Sequence, residues 1–237
     1  MKNQKIVSRD EWLAARTAYL AKEKEFTKQR DQLSQERREL PWVKLDKEYQ
    51  FDGPEGAESL ADLFDGRSQL IVYHFMYGPD WKEGCPSCSF WADNYNNVVV
   101  HLNQRDISMI TVSRSDLANL EAYKKRMGWN FKWVSSLKND FNYDFHVSAT
   151  ADQLAAKAMV YNYQNTTGWA AEEMPGISVF CKNESGEIFH TYSTYSRGLD
   201  MLNGAYHYMD LVPKGRDEND LPHTMAWLKR NDSYELV

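Results

Sequence analysis

Apolar positions follow three different rhythms along this chain. In the first, Trp12, Tyr19, Phe26, Leu33 and Leu40 recur every seven residues, with Leu13 and Leu20 beside the first two, on a background of Lys, Arg, Glu and Gln. This predicts a long helix with a narrow apolar seam, packed on its own body or paired with a second copy to give a homodimer. Ser8-Arg9-Asp10-Glu11 is a capping box at its start, and Pro41 ends it near Leu40. In the second rhythm, the unbroken apolar runs Leu70–Met76 and Ile107–Val112 read as buried strands covered on both faces. The third is helical: Leu117, Leu120, Tyr123 and Met127 define a helix over Ser115–Met127 that Gly128 stops.

Weaker patterns fill the rest. Trp42 to Phe51 alternates as a strand, Asp52-Gly53-Pro54-Glu55-Gly56 is a turn, and Ser59–Phe64 is a helical turn. Phe131–Ser135 reads as a strand, Asn139–Val147 as irregular or briefly helical, and Ala151–Val160 as a helix. Tyr161–Glu173 has the least regular sequence, and 148–173 reads as an insertion or lid. Ile177–Cys181 and Glu187–Tyr192 flank the turn Lys182-Asn183-Glu184-Ser185-Gly186 as a hairpin, and Gly198–Met209 is a last helix. Strand and helix alternate in the middle and an antiparallel hairpin follows, so the fold class is α/β with a mixed central sheet flanked by helices. The predicted organisation is an N-terminal helix over 1–41, a body over 42–212 and a polar tail over 213–237.

With 237 residues, 42% hydrophobic and 26% charged, the chain suits one globular body with extensions. A net charge of −6 without a Lys/Arg stripe gives nucleic-acid binding no electrostatic support. No apolar run approaches the ~20 residues of a membrane span. The start, Met1-Lys2-Asn3-Gln4-Lys5, leads into charged sequence with no apolar signal core, and the expected compartment is the cytoplasm. Three cysteines, Cys85, Cys88 and Cys181, are an odd number and argue against a disulfide framework.

The chemistry concentrates in Cys85-Pro86-Ser87-Cys88, which follows the Leu70–Met76 strand and the loop Tyr77–Gly84 and opens a helix running to about Asn103. Pro86 fits the first helical position, and the two sulfurs then sit three residues apart on one face. Free amides and the positive end of the helix dipole should bring Cys85 below its ordinary value of 8.5, to near 7, with Cys88 well above it. A strand feeding such a pair on a helix start suits thiol–disulfide exchange. Structural zinc would need four ligands, and Cys181 with six scattered histidines supplies no second pair, so no metal and no cofactor are expected. Trp81 and Tyr77, in the preceding loop, are candidates to shape a substrate groove.

Met174-Pro175-Gly176-Ile177-Ser178-Val179-Phe180 followed by Gly186-Glu187-Ile188-Phe189 resembles the cis-proline segment of the thioredoxin superfamily. The resemblance implies a cis Met174–Pro175 bond beside the thiols, with backbone that pairs with extended substrate. It also places His74 where thioredoxins carry a buried acid beneath the second cysteine, so that a neutral imidazole could take the Cys88 proton. The competing role for His74 is a core histidine bonded to a backbone carbonyl. Cys181 lies six residues past Pro175, roughly 20 Å along the strand, and reads as a bystander.

A wider likeness rests on His74-Phe75-Met76-Tyr77-Gly78-Pro79, Gly84-Cys85-Pro86-Ser87-Cys88-Ser89-Phe90-Trp91-Ala92-Asp93, Met127-Gly128-Trp129, Asp140-Phe141-Asn142-Tyr143-Asp144-Phe145 and Glu39-Leu40-Pro41-Trp42. Together these resemble a bacterial thioredoxin-like family of unknown function described as predicted dithiol–disulfide oxidoreductases. It implies a thioredoxin-like fold of peroxiredoxin-like layout over nearly the whole chain. The expected partners are a protein or small-molecule disulfide and a reductant that restores the dithiol. Two other readings stand beside this one. A thiol peroxidase is one, although Cys85 and Trp81 occupy the threonine and proline places of the peroxiredoxin P-x-x-x-T-x-x-C loop. The other is a non-catalytic module that docks a partner through 161–173 or the N-terminal helix.

Overall fold

Ser8 opens the first helix, α1 (Arg9–Arg38), with the expected capping box: its hydroxyl accepts from Glu11 N–H, and the Glu11 carboxylate accepts from Ser8 N–H at 2.9 Å. Such a cap contributes about 1 kcal/mol. In this computed structural model, which describes residues 4–235, not one residue of α1 is buried. The seam therefore does not cover the body: Trp12, Tyr19, Phe26 and Leu33 all face solvent. Arg9 and Arg16 lie over the Trp12 and Tyr19 rings at 4.5 and 6.0 Å, and near the far end Arg37 lies over Tyr192 at 4.9 Å.

Past Pro41 the chain does not form one strand. It makes β1 (Val43–Lys44), crosses over Leu45–Tyr49, and makes β2 (Gln50–Gly53), which turns into β3 (Gly56–Ser59). After a 3-10 turn at Asp62–Phe64 come β4 (Gln69–His74), α2 (Pro86–Tyr95), α3 (Val99–Asn103), β5 (Ile107–Ser113), α4 (Leu117–Met127) and β6 (Lys132–Ser135). The expected single helix to Asn103 is thus two, separated by a turn at 96–98. The short α5 (Phe141–Asp144) and α6 (Ala151–Ala156) precede a two-stranded ribbon, β7 (Val160–Tyr161) and β8 (Gln164–Asn165), in the segment of least regular sequence. The hairpin β9 (Gly176–Lys182) and β10 (Ile188–Tyr195) leads to a 3-10 stretch, Ser196–Leu202, and α7 (Gly204–Met209).

The main sheet has eight strands in the order β1-β10-β9-β4-β5-β6-β2-β3. The two halves of the expected Trp42–Phe51 strand sit at opposite ends: β1 pairs with β10, and β2 with β6. At the centre β4 runs parallel to β5 and antiparallel to β9, with His74 opposite Gly176 and Gln69 opposite Cys181. This is the thioredoxin-like arrangement: a strand, the dithiol helix, a parallel strand, and a returning antiparallel hairpin. Side chains alternate along β4, so its two faces feed separate cores. Tyr73 and Phe75 join Cys88, Trp91 and Trp133 on one face, and Leu70 and Val72 join Phe141 and Phe180 on the other. Gly128 ends α4 in the left-handed region, φ 72°, where a side chain would be strained. No helix among the described residues is long and apolar enough to cross a membrane.

Candidate active site

Cys85 is the N-cap of α2, with Pro86 at the first helical position. Its approach is fixed by two opposed bonds between the loop and the strand end. Cys85 N–H donates to the Met76 carbonyl at 3.0 Å, and Met76 N–H donates to Cys88 Sγ at 3.4 Å. Gly84, just before the thiol, has no room for a side chain: a Cβ there would stand 2.7 Å from the Phe75 ring and 2.8 Å from Tyr123. Cys85 is partly exposed, Cys88 is buried, and neither is in a disulfide.

The two thiols differ in acidity for reasons visible in the geometry. Cys85 is held well below the usual thiol range, first by the hydrogen bond from the Cys88 thiol. The Cys88 and Ser87 amides and the Ser87 side chain add to this, and burial opposes it. Cys88 is pushed far up, chiefly by burial and then by its bond and charge interaction with Cys85. The Met76 amide and the Tyr73 side chain pull Cys88 the other way. The helix start thus separates the pair into an acidic outer thiol and a reluctant inner one.

His74 is not beneath Cys88. The alternation along β4 turns it to the opposite face, where it is buried, stacks on Phe141 and Phe145 at 5.5 and 5.9 Å, and bonds Ser178 Oγ at 2.9 Å through Nε2. Ser193 Oγ bonds Ser178 Oγ at 2.9 Å and His190 Nε2 at 2.7 Å, so the two histidines end a buried chain of hydroxyls. Burial pushes the His74 pKa down to about 3, and its Nδ1 has no hydrogen-bond partner. The group facing Cys88 is its neighbour, Tyr73. Because β4 is apolar on both faces, its sequence carries no sign of which parity meets α2.

The Met174–Pro175 bond is trans, since the described residues include no cis peptide. Trans is the ordinary state of such a bond, and local partners secure this backbone. Met174 N–H donates to Val147 O at 2.7 Å, and Pro175 O accepts from the Tyr161 hydroxyl at 2.8 Å. The segment nonetheless reaches the inner thiol, Cys88. Met174 and Pro175 line a cavity of about 230 Å³ together with Met76, Cys88, Trp91 and Tyr161. Tyr77 and Trp81 do not line it. Tyr77 is core, 3% exposed and packed edge-on to Tyr123 at 5.7 Å. Trp81 donates from Nε1 to Glu172 at 2.6 Å, tying the loop before the thiols to the segment before Pro175. The adjacent Glu173 is buried beside Arg114 (3.1 Å) and Ser148 (2.7 Å), and burial raises it to about 7 against both. Cys181 stands five positions past Gly176, at the opposite end of β9 from the dithiol.

Sequence reasoning also missed the tail. Residues past Pro213 fold over α2: Trp227 packs edge-on to Phe90 at 5.8 Å, and Asn231 bonds Asp93 at 2.7 Å. Arg230 donates to Gly84 O at 2.7 Å and to the Tyr123 hydroxyl at 2.8 Å, and pairs with Glu83 at 2.9 Å. Arg126 pairs with Glu83 as well, and with Asp232 at 2.6 Å. Polar sequence with one tryptophan gave little signal of such docking. Among the described residues no group of three or more His, Cys, Asp or Glu side chains could hold a metal ion.

Among known families, the model described as a bacterial protein of unknown function, DUF899, matches residues 1–234. No curated protein matches the chain. Solved structures similar to it include peroxidoxin BcpB from Mycobacterium tuberculosis, with a TM-score of 0.47 and 9% identity over 70% of this chain and 94% of that one. A cysteine mutant of PrxQ from Xylella fastidiosa has a TM-score of 0.41 and 13% identity, covering 68% and 89%. A putative thiol:disulfide interchange protein DsbE from Chlorobium tepidum has a TM-score of 0.41 and 11% identity, covering 70% and 97%. Likenesses this distant carry no activity across to this chain.

Proposed function

The chain belongs to a bacterial family of unknown function, DUF899, so its activity has to come from its own geometry, and from that we propose a thiol–disulfide oxidoreductase acting through Cys85 and Cys88. One observation carries the reading: Cys85 is the N-cap residue of α2, where the neighbouring Cys88 thiol and the Ser87 and Cys88 amides lower its pKa well below the usual thiol range. The thiolate is the attacking species in exchange. Cys85 S⁻ attacks one sulfur of R–S–S–R′, that bond breaks, and R′–S⁻ leaves and takes a proton. The product is a mixed disulfide, Cys85–S–S–R.

The second step belongs to Cys88. While Cys85 is a thiolate, its charge helps keep Cys88 protonated. Once Cys85 is in the mixed disulfide that charge is gone, and the Met76 amide and the Tyr73 side chain can support a Cys88 thiolate. Cys88 gives up its proton and attacks Cys85 Sγ, R–S⁻ leaves and is protonated in turn to R–SH, and the Cys85–Cys88 bond closes. Two electrons pass to the substrate, and an external dithiol reductant returns them. Tyr73, and not His74, faces Cys88, and it acts as a donor to the thiolate, not as the base suggested for His74. The odd number of cysteines suits a reducing compartment, and we assign the protein to the cytoplasm.

Trapping tests the assignment. Incubated with a disulfide substrate, Cys88→Ser should accumulate a mixed disulfide at Cys85, seen by mass spectrometry, and Cys85→Ser should trap none. The reverse pattern would exchange the roles, and trapping by neither would end the proposal. Consumption of hydrogen peroxide in preference to disulfide would move the peroxidase reading ahead.

A further inference from the structure

We infer that the substrate is a low-molecular-weight disulfide carrying an apolar group, held in the chamber against Cys88, and not an extended protein strand; this rests on the exchange activity proposed above. The chamber's volume, about 230 Å³, equals the liquid volume of about seven or eight waters. That suits one ring or a branched aliphatic group. Its wall is apolar and adaptable. Three of the nine methionines, Met76, Met174 and Met225, line it beside Trp91 and Leu199. Unbranched thioethers accommodate apolar groups of varied shape.

Two wall residues are held in conformations that ordinary loops avoid. Ser196 has φ 51° and Met225 φ 66°, both in the left-handed region. Each is fixed by a partner placed for it. Ser196 N–H donates to the Tyr161 hydroxyl at 3.0 Å, the same hydroxyl that donates to Pro175 O. Met225 N–H donates to the Glu218 carboxylate at 3.1 Å, which also accepts from Trp227 Nε1 at 2.7 Å and the Tyr206 hydroxyl at 2.9 Å. The tail is thus bent so that Met225 joins the wall. A larger pocket of about 580 Å³, the vestibule, adjoins the chamber and shares Trp91, Arg197, Asp200, Thr224 and Met225 with it.

The alternative, β-pairing of a protein substrate beside the thiols, needs free backbone there. At this position Met174 N–H is taken by Val147, Pro175 has no N–H, and its carbonyl is taken by Tyr161. The only backbone donor at Met174–Pro175 is thus already used, which weakens β-pairing there and favours recognition in the chamber. The thiol in the chamber wall is Cys88, and Cys85 lies outside the lining, so in the exchange the Cys85 thiolate attacks at the chamber's edge, on the substrate sulfur bearing the seated group. The other half leaves through the vestibule as a thiol, and Cys88 releases the seated half on closing the Cys85–Cys88 bond.

The test uses the full-length dithiol protein, freed of excess reductant, against three probes. These are 4,4′-dithiodipyridine (aromatic and uncharged), 2-hydroxyethyl disulfide (small and polar) and insulin. Each rate is divided by that of dithiothreitol with the same probe, which removes differences in leaving group. The expected ratio is at least 10-fold higher for the aromatic probe than for insulin. Met225→Trp, which fills the chamber, should lower the aromatic ratio about 10-fold and leave the other two within twofold, with the Cys85 titration unchanged. Thr224→Trp, at the exposed rim, serves if the first variant does not fold. Insulin matching the aromatic probe, or filled chambers without effect while the wild type turns over, would overturn the substrate class and spare the oxidoreductase. No probe outpacing dithiothreitol, with Cys85 and Cys88 left reduced, would sink both.

Discussion

The Cys88 S–H is the largest single influence holding Cys85 ionised, ahead of the two amides at the helix start. The choice of replacement at Cys88 therefore matters. Serine keeps a donor and alanine removes it. A hydrogen bond to a charged group is worth about 1.5–3 kcal/mol, or roughly 1–2 pKa units. Thiolate absorbance near 240 nm should show Cys85 titrating below 8 in Cys88→Ser and about 1 unit higher in Cys88→Ala. Equal midpoints would mean the amides alone set the acidity. The sequence made the acidic partner legible, because Pro86 marks the helix start. It could not show that the donor is the other thiol, since that depends on side-chain direction. His74 marks the same limit: the resemblance to thioredoxins suggested a base, and the parity of β4 placed it with Phe141 and Phe145. Its consequence is for stability. A folded pKa of about 3 against 6.5 unfolded means that the unfolded chain binds the extra proton between those values. The contribution is complete above pH 6.5 and is lost as pH falls toward 3. Urea titrations at pH 7 and pH 4 should show a smaller loss for His74→Phe than for the wild type, and equal losses would contradict the buried neutral imidazole.

At the scale of elements, α2 is held at both surfaces, by Met76 beneath and by the tail above. Arg230 takes the Gly84 carbonyl, the Tyr123 hydroxyl and the Glu83 carboxylate at once. Arg230→Ala should release the tail from the dithiol, and the pH-independent rate of Cys85 alkylation by iodoacetamide should rise several-fold. An unchanged rate would show that the tail does not restrict access. Gly84→Ala acts from the other side. Its new methyl meets Phe75 and Tyr123 in a filled core, and overpacking of this kind costs about 1–3 kcal/mol. Thermal unfolding should register it. The unbroken apolar runs of β4 and β5, the helical period of α4 and the turn residues of the β9–β10 hairpin were readable because each is a local signal. The crossing at Leu45–Tyr49 and the docked tail were not, because they are fixed by distant partners: Tyr49 by Asp144 at 2.8 Å, and Arg126 by Asp232.

For the whole molecule, the open matter is the bare row on α1. The helix is about 45 Å long, and its large apolar side chains, from Trp12 (45% exposed) to Phe26 (65%) and Leu33 (56%), lie outside every core. Monomers rarely leave such a row uncovered. Lys22-Glu23-Lys24-Glu25 beside it offers both signs of charge to an identical neighbour. We expect sedimentation equilibrium to give twice the 27.7 kDa chain mass, and Phe26→Glu to give the single mass with the dithiol chemistry intact. A wild-type monomer at tens of micromolar would reject the pairing.

The placement of β1 also reaches into how the protein is made. Val43 is opposite His190, and Asp52 is opposite Ser135. Segments a few residues apart at the start of the chain therefore wait for partners roughly 150 and 80 residues later. At about 5–20 residues per second, the β1 segment leaves the ribosome roughly 7–30 s before its partner exists. Closing so distant a contact is also slow in a free chain. Through that interval the nascent chain carries the aromatic row of α1 and an unmatched edge segment together. Its hazard during synthesis, and its claim on chaperones, should therefore fall on the first fifty residues and end only once His190 has emerged.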